Sequence, residues 1–256
     1  MIKRRLTAAA ITERKGTPFP VITAYDAAFA RCAQAAGIDV LMVGDSLGMV
    51  VLGYDSTVPV TLDDIERCAG AVVRGSDRAH VVADLPFGSY EAADDQAVTA
   101  ALTLVKQAGV SSVKLEGGVR SAARIAAIVA AGIPVMGHIG VLPQTAALTT
   151  GFSRRKRRET LMADAHAVED AGAYAVVLEM VDAEIAGEIT ADLRIPTIGI
   201  GSGGACDGQV LVMHDALGLY PDSPPFAKRY ADIGAAATAA LRTYAQDVRG
   251  RSFPGE

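Results

Sequence analysis

Tyr174-Ala-Val-Val-Leu-Glu179 decides the fold: five apolar residues in a row, stopped by a carboxylate. A run this short, apolar on both faces, suits a parallel strand covered by helices. Before it, Arg155–Asp170 is helical in pattern, and Gly172 follows where a helix C-terminus wants a left-handed residue. After it, Ala183–Ala191 is again alanine-rich and helical in pattern. Helix, glycine, short apolar strand, acid and helix make one unit of an alternating α/β chain.

The unit repeats along the chain. Short apolar runs lie at Pro20–Ala24, Ile38–Gly44, His80–Ala83, Ser112–Leu115, Ile133–Gly137, Tyr174–Leu178, Ile195–Ile200 and Gln209–Met213. Helices are expected over Ala27–Ala36, Leu62–Arg74, Glu91–Gln107, Arg120–Ala130, Arg155–Asp170 and Ala183–Ala191. Gly37, Gly75, Gly109, Gly132 and Gly172 are expected to close helices in the left-handed conformation. Eight units in 256 residues predict a closed (β/α)8 barrel, a single domain over residues 1–256. One join is irregular. Only Gly201–Gly208 separates the last two runs, whereas a parallel crossover usually takes about a dozen residues or more. Either the seventh helix has shrunk to a turn, or one strand is misread. A proline-rich loop, Pro221–Pro225, and a last helix over about Tyr230–Val248 follow.

Composition narrows the class. Half of the chain is apolar, enough for a substantial core. A net charge of −5 argues against nucleic acid as the main partner. Cys32, Cys68 and Cys206 are odd in number and widely spaced, which fits reduced, buried thiols better than a disulfide framework or a thiolate zinc site. The stretch Met1–Gly16 lacks the apolar core of a signal peptide, and no run approaches the roughly 20 apolar residues of a membrane span. A soluble, cytoplasmic protein is expected.

Barrels of this kind build their active sites at the carboxyl ends of the strands. Those ends carry Asp26, Asp45-Ser46, Asp84, Lys114 with Glu116, His138, Glu179, Gly201-Ser202 and His214-Asp215. Acids gathered there repel one another unless a cation or shared protons neutralise them. Asp45, Asp84 and Glu116 form an all-oxygen set, the ligand chemistry of magnesium; taken singly, each also reads as a helix cap or an ion-pair partner. Lys114 and Glu116 lie two apart on one strand and so face the same way, Lys114 toward an anionic substrate. Glu179, at the end of a wholly apolar run, reads as a general base, or else as the cap of the helix beginning near Asp182. His138 reads equally as a hydrogen-bond donor to a substrate carboxylate and as a satisfied core residue. Gly199–Gly204 sits where barrels often bind phosphate, yet also reads as a close-packed turn. The basic run Arg154–Arg158 reads as a solvated helix start, or as an attractor for an anionic cofactor tail near the mouth.

Taken in order, the motifs resemble the ketopantoate hydroxymethyltransferase family along nearly the whole chain. They are Ile22-Thr-Ala-Tyr-Asp26, Val43-Gly-Asp-Ser-Leu-Gly-Met49, Asp55-Ser-Thr57 with Pro59-Val60-Thr61, Ala83-Asp-Leu-Pro-Phe87 and Val113-Lys-Leu-Glu-Gly-Gly118. Gly137-His-Ile-Gly140 with Pro143-Gln144, Leu178-Glu179, Ile198-Gly-Ile-Gly201 and Asp207–Asp215 complete the set. The resemblance implies a barrel of the phosphoenolpyruvate mutase/isocitrate lyase superfamily type. It also implies magnesium on Asp45, Asp84 and Glu116, a keto acid held by Asp45, Ser46, Asp84 and Lys114 with His138 nearby, and Glu179 as catalytic base. The implied reaction carries a one-carbon unit from 5,10-methylenetetrahydrofolate to 3-methyl-2-oxobutanoate, and the implied assembly is a homo-oligomer, a decamer. Phe152–Arg158 and Val119-Arg120 depart from the family pattern, away from the metal and base positions. Two other readings are a magnesium-dependent 2-keto or 2-hydroxy acid lyase of the same superfamily and a catalytically idle barrel subunit. The first would be expected to carry a catalytic cysteine on a mobile loop, and the second to have lost some of these acids.

Overall fold

The computed structural model describes residues 5–146, 148–149 and 151–255. It has two compact units, Met1–Val210 and Leu211–Glu256. Eight parallel strands close a barrel in sequence order: β1 (Phe19–Thr23), β2 (Val40–Val43), β3 (His80–Asp84), β4 (Ser112–Glu116), β5 (Val135–Gly140), β6 (Ala175–Glu179), β7 (Thr197–Ile200) and β8 (Gly208–Leu211). Every expected run is a strand. Between β7 and β8 there is no helix, so the short join is a turn and both strand readings stand.

The expected helices form with shifted ends. Leu62–Gly75 begins at a capping box, Thr61 accepting from the Asp64 amide while the Asp64 carboxylate accepts from the Thr61 amide. Asp94–Thr103 runs into a π-helical segment, Leu104–Ala108, closed by left-handed Gly109. Gly37, Gly132 and Gly172 also have positive φ. Gly75 does not, and that expectation is corrected. It stays inside its helix because an added Cβ would lie 2.5 Å from the Ala27 carbonyl oxygen. Glycine is needed there for close approach of two helices. The last helix is Ile233–Arg249, and none of its residues is buried. Cys206 is buried, Cys68 half-buried and Cys32 exposed, so the expectation of buried thiols holds for Cys206 and fails for Cys32.

Alternate residues of each strand fill the barrel. Phe19 and Val21 of β1, Val40 and Met42 of β2, Val82 of β3, Met136 of β5 and Val177 of β6 pack into one cluster. Below it, at the amino ends of the strands, His80, Ser112 and Tyr174 bond to one another. Above it, the same period sets Asp84, Lys114, Glu116, His138 and Glu179 at the carboxyl ends. Register makes neighbours of them, pairing Asp84 with Lys114 and Glu116 with His138.

Candidate active site

Asp45, Asp84, Lys114, Glu116 and His138 are all buried, though every one is polar. Lys114 Nζ lies 3.1 Å from Asp84 Oδ2 and 3.3 Å from His138 Nδ1. The Asp45 amide donates to the same Asp84 oxygen at 3.1 Å. His138 Nδ1 stands 3.6 Å from Glu116 Oε1, and its Nε2 stands 3.3 Å from Glu179 Oε2. Ser46 Oγ meets the Tyr25 hydroxyl at 2.8 Å. Asp45, Asp84, Lys114, Glu116, His138 and Glu179 thus form one connected set.

Charge explains the protonation. Burial, then the Asp84 charge, pushes the Asp45 carboxyl up to about 7. Burial, then Asp45, pushes Glu116 well above the ordinary carboxylate range. Burial alone would lower the Lys114 ammonium, but Asp84, Glu116 and Asp45 outweigh it and hold the ammonium charged. Burial, then Lys114, pushes the His138 imidazole down. A neutral imidazole facing an ammonium with Nδ1 must accept there, so its proton sits on Nε2. Although Nε2 is 3.3 Å from Glu179 Oε2, it is not aligned as a hydrogen bond with any acceptor among the described residues.

The donor set suits a hard cation. Asp45, Asp84 and Glu116 offer carboxylate oxygens only, these outnumber the one ammonium, and Asp84 Oδ1 is buried with no hydrogen-bond partner among the described residues. Among the described residues, no three His, Cys, Asp or Glu side chains already converge as a finished metal cage. Lys114 stands instead against Asp84.

Glu179 is held at the rim, with its side chain 18% exposed although the run before it is wholly apolar. It caps nothing: Asp182 is the cap of helix Ala183–Asp192. The backbone around Glu179 is fixed. Met180 adopts φ 49°, rare for a side chain, and its amide and carbonyl bond to Ile200 and Arg155. Gly140, at φ 99°, pairs with Glu179, and a Cβ there would lie 2.2 Å from the Glu179 carbonyl oxygen.

Other expectations separate from the set. Asp26 caps helix Ala27–Ala35. In Gly199–Gly204, Ser202 Oγ donates to the Leu178 carbonyl and accepts from the Val181 amide, as a close-packed turn does. Arg154 donates to the Val181 and Gly201 carbonyls, Arg155 to Gly151 and Ser153, and Arg158 pairs with Glu188. Arg154 and Arg155 therefore tie loop backbone together, and Arg158 joins helix Arg158–Asp170 to helix Ala183–Asp192. A groove of about 670 Å³ lined by Val58, Leu62, Phe87 and Thr99 shares no residue with the carboxylate set. Tyr90 and Gln144 bond within the set and were not expected there. Pro143-Gln144 was legible as a motif, but nothing in the pattern around Tyr90 marks it.

A sequence profile of the ketopantoate hydroxymethyltransferase family matches residues 5–256. The 3-methyl-2-oxobutanoate hydroxymethyltransferase of Chloroflexus aurantiacus is 54% identical over 245 residues, 94% of this chain and 87% of that protein. The enzyme of the same name from Carboxydothermus hydrogenoformans is 51% identical over 259 residues, 98% and 94% of the two chains. Among solved structures, 2,3-dimethylmalate lyase, a PEP mutase/isocitrate lyase superfamily member, matches in fold. Its TM-score is 0.60 at 20% identity, covering 98% of this chain and 90% of that one. Identity near one half, sustained across almost the whole barrel, places the chain in the ketopantoate hydroxymethyltransferase family.

Proposed function

We infer that the chain transfers a hydroxymethyl group from 5,10-methylenetetrahydrofolate to 3-methyl-2-oxobutanoate. Water is consumed, and 2-dehydropantoate and tetrahydrofolate are the products, a step toward pantothenate. The observation that carries this reading is the buried set of acids around one lysine at the carboxyl ends of the strands, in a chain of this family.

Asp45, Asp84 and Glu116 are the residues that would hold magnesium. Bound there, the ion would act as a Lewis acid on the keto acid's oxygens, an effect worth several kcal/mol. Lys114, kept charged by its carboxylate neighbours, is the natural partner of the substrate carboxylate, with Asp45, Ser46 and Asp84 around it. The Nε2–H of His138, which has no aligned acceptor, is a donor for a substrate oxygen. Water releases the one-carbon unit from the two folate nitrogens at the oxidation level of formaldehyde, leaving tetrahydrofolate. Glu179, at the rim, takes the C3 proton, and the enolate carbon adds to the formaldehyde carbon, whose oxygen takes a proton to become the hydroxymethyl group. The Gly140 and Met180 backbones keep that carboxylate's strand end in place.

A cytoplasmic homo-oligomer, decameric as the family resemblance implies, is the expected working form. Its support on this chain is helix Ile233–Arg249, which buries none of its residues and exposes Leu241 and Tyr244. No described helix is long and apolar enough to cross a membrane.

The reaction is tested by mixing purified protein with both substrates, with magnesium or with excess chelator, and quantifying 2-dehydropantoate. Product that appears with magnesium and vanishes with chelator is expected. A folded protein that forms none would overturn the reading.

A further inference from the structure

Gln144 lies among the acids without carrying a charge. It is 1% exposed and belongs to the short helix Pro143–Ala146 that follows β5. Its side-chain nitrogen is 2.9 Å from Asp45 Oδ2 and 2.9 Å from the Leu85 carbonyl oxygen. A backbone carbonyl only accepts, so the end facing Leu85 is the NH2, and its second proton goes to Asp45 Oδ2. The other end, the carbonyl, faces the Tyr90 hydroxyl at 2.5 Å, and the hydroxyl must donate to it. The Tyr90 oxygen is then open to the Glu116 amide, 3.3 Å away. Gln144's own backbone amide donates to Glu116 Oε2 at 3.2 Å.

The network therefore ties down one oxygen of each acid. Asp45 Oδ2 is tied by the Gln144 side chain, and Glu116 Oε2 by the Gln144 backbone. Asp84 Oδ2 is tied by the Asp45 amide and Lys114, while its Oδ1 has no hydrogen-bond partner among the described residues. A carboxylate with one oxygen fixed can offer only the other, in one orientation, to a cation. Groups that orient ligands in this way govern affinity nearly as much as the ligands do. A neutral amide suits the place. A lysine there would compete with the cation, and a further carboxylate would add repulsion where Asp45 and Glu116 are already crowded.

We propose that Gln144, oriented by the Tyr90 hydroxyl, is a positioning residue that presets Asp45 and Glu116 for a divalent cation. The proposal rests on the magnesium reading given above, and the test separates the two. Mg2+ binding to the purified full chain is measured by titration calorimetry without substrates, in wild type, Q144M, Y90F and D84N. Q144M keeps the side chain's length and the backbone bond to Glu116 but removes the amide. Its Mg2+ affinity should fall about 10- to 100-fold. Y90F removes only the hydroxyl and should weaken binding about two- to tenfold, the range of one hydrogen bond. D84N should lose binding. A merely structural Gln144 would lower the melting temperature of Q144M and leave its Mg2+ affinity alone. Wild-type affinity in Q144M, or in Y90F should Q144M not fold, overturns the proposal while the magnesium reading stands. Wild-type affinity in D84N, or no binding by wild type, overturns the magnesium reading and the proposal with it.

Discussion

His80 and His138 are both buried imidazoles inside one barrel, and their surroundings give them different work. His138 faces Lys114, Glu116 and Glu179 at the carboxyl ends of the strands. His80 sits at the amino end of β3, with Nδ1 3.0 Å from the Leu6 carbonyl and Nε2 2.7 Å from Ser112 Oγ and 3.0 Å from the Tyr174 hydroxyl. The carbonyl can only accept, so Nδ1 carries the proton and Nε2 receives a hydroxyl. Burial pushes this imidazole down to about 4, against the Leu6 bond and Asp39, with Arg14 and Arg5 assisting. The unfolded chain takes up the proton near the ordinary imidazole value of 6.5 and the folded chain only near 4. His80 therefore favours the folded state above pH 6.5, and that contribution is lost as pH falls from 6.5 to 4. The shift corresponds to about 3 kcal/mol. Urea unfolding of wild type and H80N at several pH values checks it. The wild-type advantage should shrink by about that amount between pH 7 and pH 4; a gap that is constant with pH would refute the assignment.

At the scale of elements, the glycines separate what the pattern conveys from what it conceals. Gly37, Gly109, Gly132 and Gly172 were legible as helix ends because the left-handed conformation is a local property of the chain. Gly75 was misread because its reason is tertiary, the backbone of Ala27 lying against it. Alanine at that position gains at most about 1 kcal/mol of helix propensity. The overpacking it causes costs about 1–3 kcal/mol. G75A should therefore melt several degrees lower, with keto acid turnover intact at low temperature; an unchanged or higher melting temperature would show that the helices can part freely. The strands were legible as short, largely apolar runs, and their ends were misplaced by three residues at most. The β7–β8 join stayed open until the structure, because periodicity cannot tell a shrunken helix from a wrong strand.

For the whole molecule, the rule that barrel sites form at strand carboxyl ends gathers Asp45, Asp84, Lys114, Glu116, His138 and Glu179 from sequence alone. It works because such positions have a fixed address in the fold. Tyr90 has no such address. It comes from a loop and reaches Gln144 and Glu116 only through the closed barrel, so no spacing announces it. Nor could the sequence show that Glu179 stands at the rim beside an imidazole. Retention of every acid and of Lys114 counts against an idle barrel. Cys206, buried beside the β7–β8 turn, does not look like the mobile nucleophile expected of a lyase.

The central claim is that Glu179 removes the C3 proton of 3-methyl-2-oxobutanoate at this mouth. Its most direct test follows that proton by NMR in deuterated water, with magnesium and keto acid but no folate, in wild type and E179Q. Wild type should exchange the C3 hydrogen for deuterium, and E179Q should do so about 10²–10⁴-fold more slowly while binding Mg2+ with wild-type affinity. Exchange by E179Q at the wild-type rate would contradict the account.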